Sequence, residues 1–234
     1  MKIVEIRRYP VKSLLGEVLP AAAVGARGLD GDRLWAVRDA DGKLGSGKST
    51  RRFRRMPGLF AMRATAAAGA PVVELPDGRR FAADDPAGHR AVSAVLGRDV
   101  TLAPEADVPH HDEGPVSIVT TAALRHLTGL GGGEPGGGPL DPGRFRANLL
   151  LDVPGTGFPE DGWHGRLLRA GPQVVLRVIR PLTRCVMVDM AQDGACDRDD
   201  LLKLLAARHG MTFGVLAAVQ RPGRVTVGDG CALD

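Results

Sequence analysis

Apolar and polar positions alternate with a period of two along Lys2 to Val11, Arg33 to Arg38, Leu59 to Ala66 and Val72 to Leu75. That period puts successive side chains on opposite faces of a strand, so the N-terminal part of the chain reads as a series of β-strands. Asp39-Ala-Asp-Gly42 and Pro76-Asp-Gly78 are hairpin signals, because glycine supplies the positive φ that a tight turn between strands requires. The pattern predicts an antiparallel, barrel-like sheet. A helix is expected from Pro86 to Leu96, with Asp84 or Asp85 as N-cap, proline in its first turn and Gly97 as its stop. It is followed by a strand from Asp99 to Leu102.

A polar, proline-containing stretch from Ala103 to Gly114 is the expected boundary, dividing the chain into residues 1–105 and 106–234. Beyond it, Pro115 to Val119 reads as a strand running into a helix from Thr121 to Leu130, with Thr120 or Thr121 as cap. Gly129 to Gly143 has no apolar periodicity and is expected to be a mobile surface loop. Strands follow at Phe145 to Asp152, Gln173 to Leu182, Phe213 to Gln220 and Arg224 to Val227, with a helix from Asp199 to His209 stopped by Gly210. The fold class expected is α+β, strand-rich, an antiparallel β-barrel with a few short helices.

Composition narrows the class. With 234 residues, 44% of them apolar and 25% charged, the chain can bury a substantial core. No apolar stretch approaches the roughly 18 residues of a membrane span, and the N-terminus MKIVEIRRYP lacks an apolar signal core, so a cytoplasmic protein is expected. The formal charge of +4, from 31 basic and 27 acidic residues, is too mild to name a partner. Cys185, Cys196 and Cys231 are odd in number and form no CxxC pair, which argues against a disulfide framework or a structural zinc site.

Two segments carry candidate chemistry. Gly42 to Ser49 fits the phosphate-loop pattern GxxxxGK[ST], but a hairpin turn precedes it and Pro57 cuts short any following helix, so a nucleotide triphosphatase is disfavoured. What is left is a concentration of charge at Lys48, Arg51, Arg52, Arg54 and Arg55. It reads as a solvated basic face, as contacts to a phosphate-bearing small cofactor or, with only Phe53 to stack a base, as a nucleic-acid surface. The second segment ends an apolar strand and places Cys185 beside Arg180 and Arg184, cations that would favour a thiolate able to attack electrophiles or bind a soft metal. The same cysteine also reads as a small buried hydrophobe. His110, His111, His126, His164 and His209 could serve it as a base, though spacing pairs none of them with it, and Asp199-Asp200 reads as an acidic helix start.

Along nearly its whole length the chain resembles the MOSC-domain proteins, with an N-terminal MOSC barrel over 1–105 and the MOSC domain over 106–234. The resemblance is carried by Tyr9-Pro-Val-Lys-Ser13, Gly31-Asp-Arg-Leu-Trp35, Pro115 to Leu124, Arg144-Phe-Arg-Ala-Asn148, Arg184-Cys185 and Pro222 to Asp229, in matching order and spacing. It implies a molybdenum cofactor (molybdopterin), with Cys185 as metal ligand and catalytic residue. It also implies Lys12, Ser13, Arg33, Thr120, Thr121, Arg146 and Asn148 as cofactor contacts, and pyridoxal phosphate binding as a further family property. Similarity to the amidoxime-reducing component and its bacterial counterparts implies an oxidoreductase acting on N-hydroxylated small molecules, with electrons from an external donor protein; the chain is expected to depart from those relatives in having no N-terminal membrane anchor, and its basic run is not expected to bind nucleic acid. The alternative is a carrier that delivers the cofactor or sulfur without turnover. Ala147 stands where the family has the proline of Arg-Pro-Asn, and Val186-Met-Val188 where it has threonines, which removes hydroxyl donors near the metal.

Overall fold

A computed structural model of the chain describes residues 1–107, 109–111 and 113–234. The fold is strand-rich with three α-helices among the described residues, as the alternation predicts. The chain forms two compact units, each discontinuous in sequence. The first comprises Met1–Arg7, Val18–Asp30 and Glu113–Asp234, the second Arg8–Glu17 and Gly31–Asp112.

In the first unit an eight-stranded sheet runs, in spatial order, Cys231–Leu233, Leu167–Ala170, Val174–Thr183, Thr212–Arg221, Val116–Thr120, Leu149–Asp152, Lys2–Arg8 and Glu17–Leu19. Its alternation is visible in burial: Val174, Leu176 and Val178 join Leu168, Ala170, Ile118, Leu149, Leu151, Ile3 and Ile6 in one core. Bulges between Val175 and Leu176 and between Val178 and Arg180 interrupt the long central pair, and bulges increase the twist that curls a sheet. The curl brings the first strand to the last, where the Cys231 amide donates to the Met1 carbonyl at 2.8 Å and the Ile3 amide to Asp229 at 2.9 Å. Pairing in this sheet is mostly antiparallel, but Val116–Thr120 runs parallel to Leu149–Asp152, its crossover containing the helix Thr121–Leu127; in the second unit Val11–Lys12 runs parallel to Trp35–Asp39 and Leu44–Ser46 to Phe53–Arg55, correcting the antiparallel expectation there too.

The opposite face of this sheet is covered by a second cluster of Val119, Ala123, Leu124, Leu127, Leu140, Phe145, Val188, Leu201, Leu205 and Phe213. Gly214 makes both faces possible. Its φ of +72° breaks the alternation, so Phe213 enters this cluster while Val215 enters the barrel core.

The second unit holds its own core of Val11, Leu14, Val37, Met56, Leu59, Met62, Val73, Val92 and Leu102 between small sheets and one helix. That helix, α1 (Pro86–Leu96), is capped by the Asp85 carboxylate accepting from the Ala87 amide at 2.7 Å and ends at left-handed Gly97, as expected. Three elements depart from expectation. Leu59 to Ala66 is a 3-10 turn, Leu59–Ala61, followed by a strand, Arg63–Thr65. α2 is Thr121–Leu127 and passes into a π turn, Thr128–Gly132, whose Gly131 has φ +98°. The strand expected from Phe145 begins at Leu149, because the Asp141 carboxylate accepts from the Gly143 amide and Pro142 starts a 3-10 turn, Pro142–Phe145. The third helix, α3, is Leu201–His209.

Candidate functional site

Cys185 lies just past the strand Val174–Thr183, in extended conformation, where the chain turns into a 3-10 turn, Val186–Val188. The Val188 amide donates to the Cys185 carbonyl at 3.1 Å and Asp189 to Val186 at 3.0 Å. Its thiol is half-buried, between an exposed Cys196 and a buried Cys231. Burial pushes the Cys231 thiol up to about 11, with Asp229 adding to the effect, so at neutral pH it is a small hydrophobe of the core. Cys185 is the thiol that combines partial shelter with access.

The two guanidiniums that precede Cys185 in sequence have structural partners. Arg184 donates through Nε and Nη2 to the Phe213 carbonyl at 2.8 and 2.6 Å and through Nη1 to the Phe145 carbonyl at 2.9 Å, lying 5.4 Å from the Phe145 ring centroid. Arg180 pairs with Glu113 at 2.7 Å. After the cysteine, Asp189 accepts from the Leu201 and Leu202 amides at 3.0 and 3.2 Å and so caps α3, while burial holds its carboxyl above the ordinary aspartate value. Gln192 donates to the carbonyls of Arg144 and Met187.

Among the expected cofactor contacts of this unit, Thr120 is the N-cap of α2. Its hydroxyl accepts from the Ala123 amide at 3.1 Å and donates to Glu160 at 2.8 Å. Thr121 donates to Asp152 at 3.0 Å and accepts from the Val153 amide at 3.0 Å. Asn148 fastens three strands: its Oδ1 accepts from the Ser117 amide and hydroxyl and its Nδ2 donates to the Arg7 carbonyl. Arg146 is buried and left-handed, with φ +52°, at the end of the Pro142–Phe145 turn.

Glu160 was not singled out by sequence pattern. It is 0% exposed, its Oε1 has no hydrogen-bond partner among the described residues, and burial raises its carboxyl above the ordinary glutamate value despite the Thr120 hydroxyl. Nearby, His209 meets Asp161 at 2.7 Å and stacks on Phe158, which His126 meets edge-on.

Lys12, Ser13 and Arg33 belong to the second unit. The Lys12 ammonium lies 5.0 Å from the centroid of the Phe53 ring, Ser13 has φ +65°, and Arg33 pairs with Asp32 and covers the Tyr9 ring at 4.8 Å. Burial alone would raise the Asp32 carboxyl, but Arg33, His111 and the Tyr9 amide together hold it down at about 2. His110 lies in this unit too, its Nε2 3.0 Å from Arg38. The apparent phosphate loop holds a short strand, Leu44–Ser46, and another strand, Phe53–Arg55, follows instead of a helix. Within the basic run, Arg54 pairs with Asp39 and Asp41 at 2.8 and 2.6 Å, and Lys48 and Arg52 flank Phe53.

Among the described residues, no three His, Cys, Asp or Glu side chains gather as a metal-binding group.

Comparison with known families agrees with the motif order. The MOSC domain matches residues 105–232, and the MOSC N-terminal beta barrel domain matches residues 1–102. The chain belongs to the MOSC family. Among solved structures similar to this MOSC chain is the YuaD protein from Bacillus subtilis, 15% identical over 99% of this chain and 94% of its own, with a TM-score of 0.49. Another is YiiM from Geobacillus stearothermophilus, 18% identical over 51% of this chain and 53% of its own, with a TM-score of 0.39. No curated protein gave a significant match. Among the described residues, no helix is long and apolar enough to cross a membrane.

Proposed function

We propose that this MOSC protein is a molybdenum-cofactor-dependent oxidoreductase that reduces N-hydroxylated or related N-oxygenated small molecules. The observation that carries the reading is a half-buried thiol, Cys185, at the end of a core strand in a chain matched along nearly its whole length by the two MOSC families. The donor chemistry fits: a soft metal takes a thiolate, and a cofactor that supplies a dithiolene needs few protein ligands. Bound molybdenum would supply two-electron redox chemistry.

The chain's own residues do the rest. Cys185 offers the thiolate, and Arg184 fixes the backbone beside it. Arg146 offers the first unit's cation for an anionic end of the cofactor, and Asn148, tied to Ser117 and Arg7, holds the strands beneath. In the second unit Lys12, Ser13 and Arg33 are a cationic and hydroxyl set suited to phosphate. We assign no residue to pyridoxal phosphate. Reduction of an N–OH group consumes two electrons and two protons and releases water, and the electrons come from an external donor protein.

The second reading, a carrier of cofactor or sulfur, is favoured by Val186-Met-Val188, which puts no hydroxyl donor directly after the thiol. Purified protein from a cofactor-competent host should contain about one molybdenum per chain, and Cys185→Ala should lose turnover of a hydroxylamine with an artificial electron donor while keeping its melting temperature. Absence of molybdenum overturns both the oxidoreductase and the cofactor-carrier readings. Molybdenum without turnover selects the carrier.

A further inference from the structure

The side chain of Arg144 is almost completely buried, at 1% exposure, and its guanidinium meets five acceptors. Nε donates to Glu134 Oε1 at 2.6 Å and Nη2 to Glu134 Oε2 at 2.5 Å. The remaining N–H groups reach the carbonyls of Val188 at 3.3 Å, Met190 at 3.5 Å and Cys196 at 2.6 Å. A guanidinium has five N–H donors in a fixed fork, and here one carboxylate and three carbonyls take them, an arrangement that the three donors of an ammonium could not reproduce.

Those carbonyls belong to the segment that follows Cys185. The residue before Cys185 is held from the same place, since Arg184 donates to the carbonyl of Phe145, the neighbour of Arg144. The segment after the thiol therefore hangs on Arg144, while the residue before it is held by Phe145 of the same turn together with Phe213.

Glu134 is the counter-ion that holds Arg144, and it comes from the glycine-rich run expected to be a mobile loop. The run is shaped to present it. A bridge between Glu134 and Gly138 closes a tight turn through Gly136 and Gly137, both at positive φ, and the Asp141 amide donates to the Glu134 carboxylate at 3.1 Å. Arg198 adds a second tie, donating to the Gly132 and Gly133 carbonyls at 3.0 and 2.9 Å.

We infer that Glu134 and Arg144 are the positioning pair of the Cys185 thiol, and that the glycine-rich loop sets how the thiol is presented. This rests on Cys185 being the working group of the proposed function, but the pair acts on the thiol itself, with or without a metal. Removing the Glu134 charge leaves a buried guanidinium without its counter-ion, a strongly unfavourable state that the segment around the thiol relieves by opening.

The test is the rate of Cys185 alkylation by iodoacetamide in the full-length chain carrying Cys196→Ser, followed by mass spectrometry across pH and in low urea. In that background Glu134→Gln should raise the plateau rate above the thiol's titration at least about fivefold, with little dependence on urea, because opening is local. Val174→Ala, which weakens the separate barrel core, should leave the plateau within about twofold of the parent. A Glu134→Gln rate within twofold of the parent overturns the proposal. So does an increase that carries the urea slope of global unfolding, or an equal increase in Val174→Ala. If Glu134→Gln does not fold, Glu134→Asp, which keeps the charge but shortens its reach, serves in its place and should raise the rate more than about twofold over the parent, a smaller rise overturning the proposal. No outcome depends on molybdenum, so failure here is distinct from failure of the proposed function.

Discussion

Asp32 shows how one residue can be fixed by its surroundings. It is wholly buried, yet it stays ionised because Arg33, His111 and the Tyr9 amide overcome the cost of burial. Its folded value of about 2 lies below the ordinary 3.8, so the folded state gives up this proton more readily than the unfolded chain does. Its contribution is therefore fully present above about pH 4 and is lost as pH falls toward 2. A displacement of this size corresponds to stability on the order of 2 kcal/mol at neutral pH. Asp32→Asn should lose about that much in urea melts at pH 7 and show a shallower decline between pH 4 and pH 2. An unchanged acid limb would show that Asp32 does not hold the second unit together in acid. The conformation of its neighbour adds to the local demand, because Arg33 sits at φ +53°, a region that residues other than glycine seldom occupy.

Among the elements, the strand Thr212–Arg221 is decided by Gly214. A Cβ there would lie 2.4 Å from the Ile118 carbonyl, and the φ of +72° is itself unfavourable for alanine. Gly214→Ala should therefore cost on the order of 3 kcal/mol, read as a lowered urea midpoint. A loss under about 1 kcal/mol would mean the strand can shift to relieve the contact. Elements with local punctuation were legible in the sequence: α1 carries its own cap, its proline and its terminal glycine, and the structure follows them residue for residue. The run from Leu59 to Ala66 misleads because Phe60, Met62 and Ala64 are spaced two apart and all buried, although a 3-10 turn rather than a strand supplies the first of them. Within the candidate site, Cys185 and its arginines stand out as a chemical cluster, and the MOSC motifs as a series. The grip of Arg144 on Glu134 is not legible, since it joins a glycine run without periodicity to a segment some fifty residues further on through backbone carbonyls, which no side-chain pattern encodes. The same holds for Glu160, whose partner Thr120 lies forty residues before it.

At the scale of the whole molecule, the buried and half-buried carboxylates pull the stability curve in two directions. Asp32 and Glu134 are held below their ordinary values by arginine partners that overcome burial, so they support the fold above the acid range and fail it as pH drops. Glu160 and Asp189 are shifted the other way, with burial as the largest cause and, among the described residues, no arginine pairing directly with either. For Glu160 the folded state keeps its proton to higher pH than the unfolded chain. Its penalty is therefore absent below the ordinary glutamate value and grows as pH rises through the interval up to its raised value. Glu160→Gln keeps an oxygen to accept from the Thr120 hydroxyl and removes the ionisable group from a wholly buried position. The variant should melt above the parent at about pH 8, by a few degrees if the relief is about 1 kcal/mol in a chain of this size, and should converge on it at about pH 4. Thermal melts at the two pH values check this. A parent more stable than the variant at pH 8 would mean that the buried carboxylate has a partner worth more than its desolvation, and the free Oε1 would then be the place to look for it.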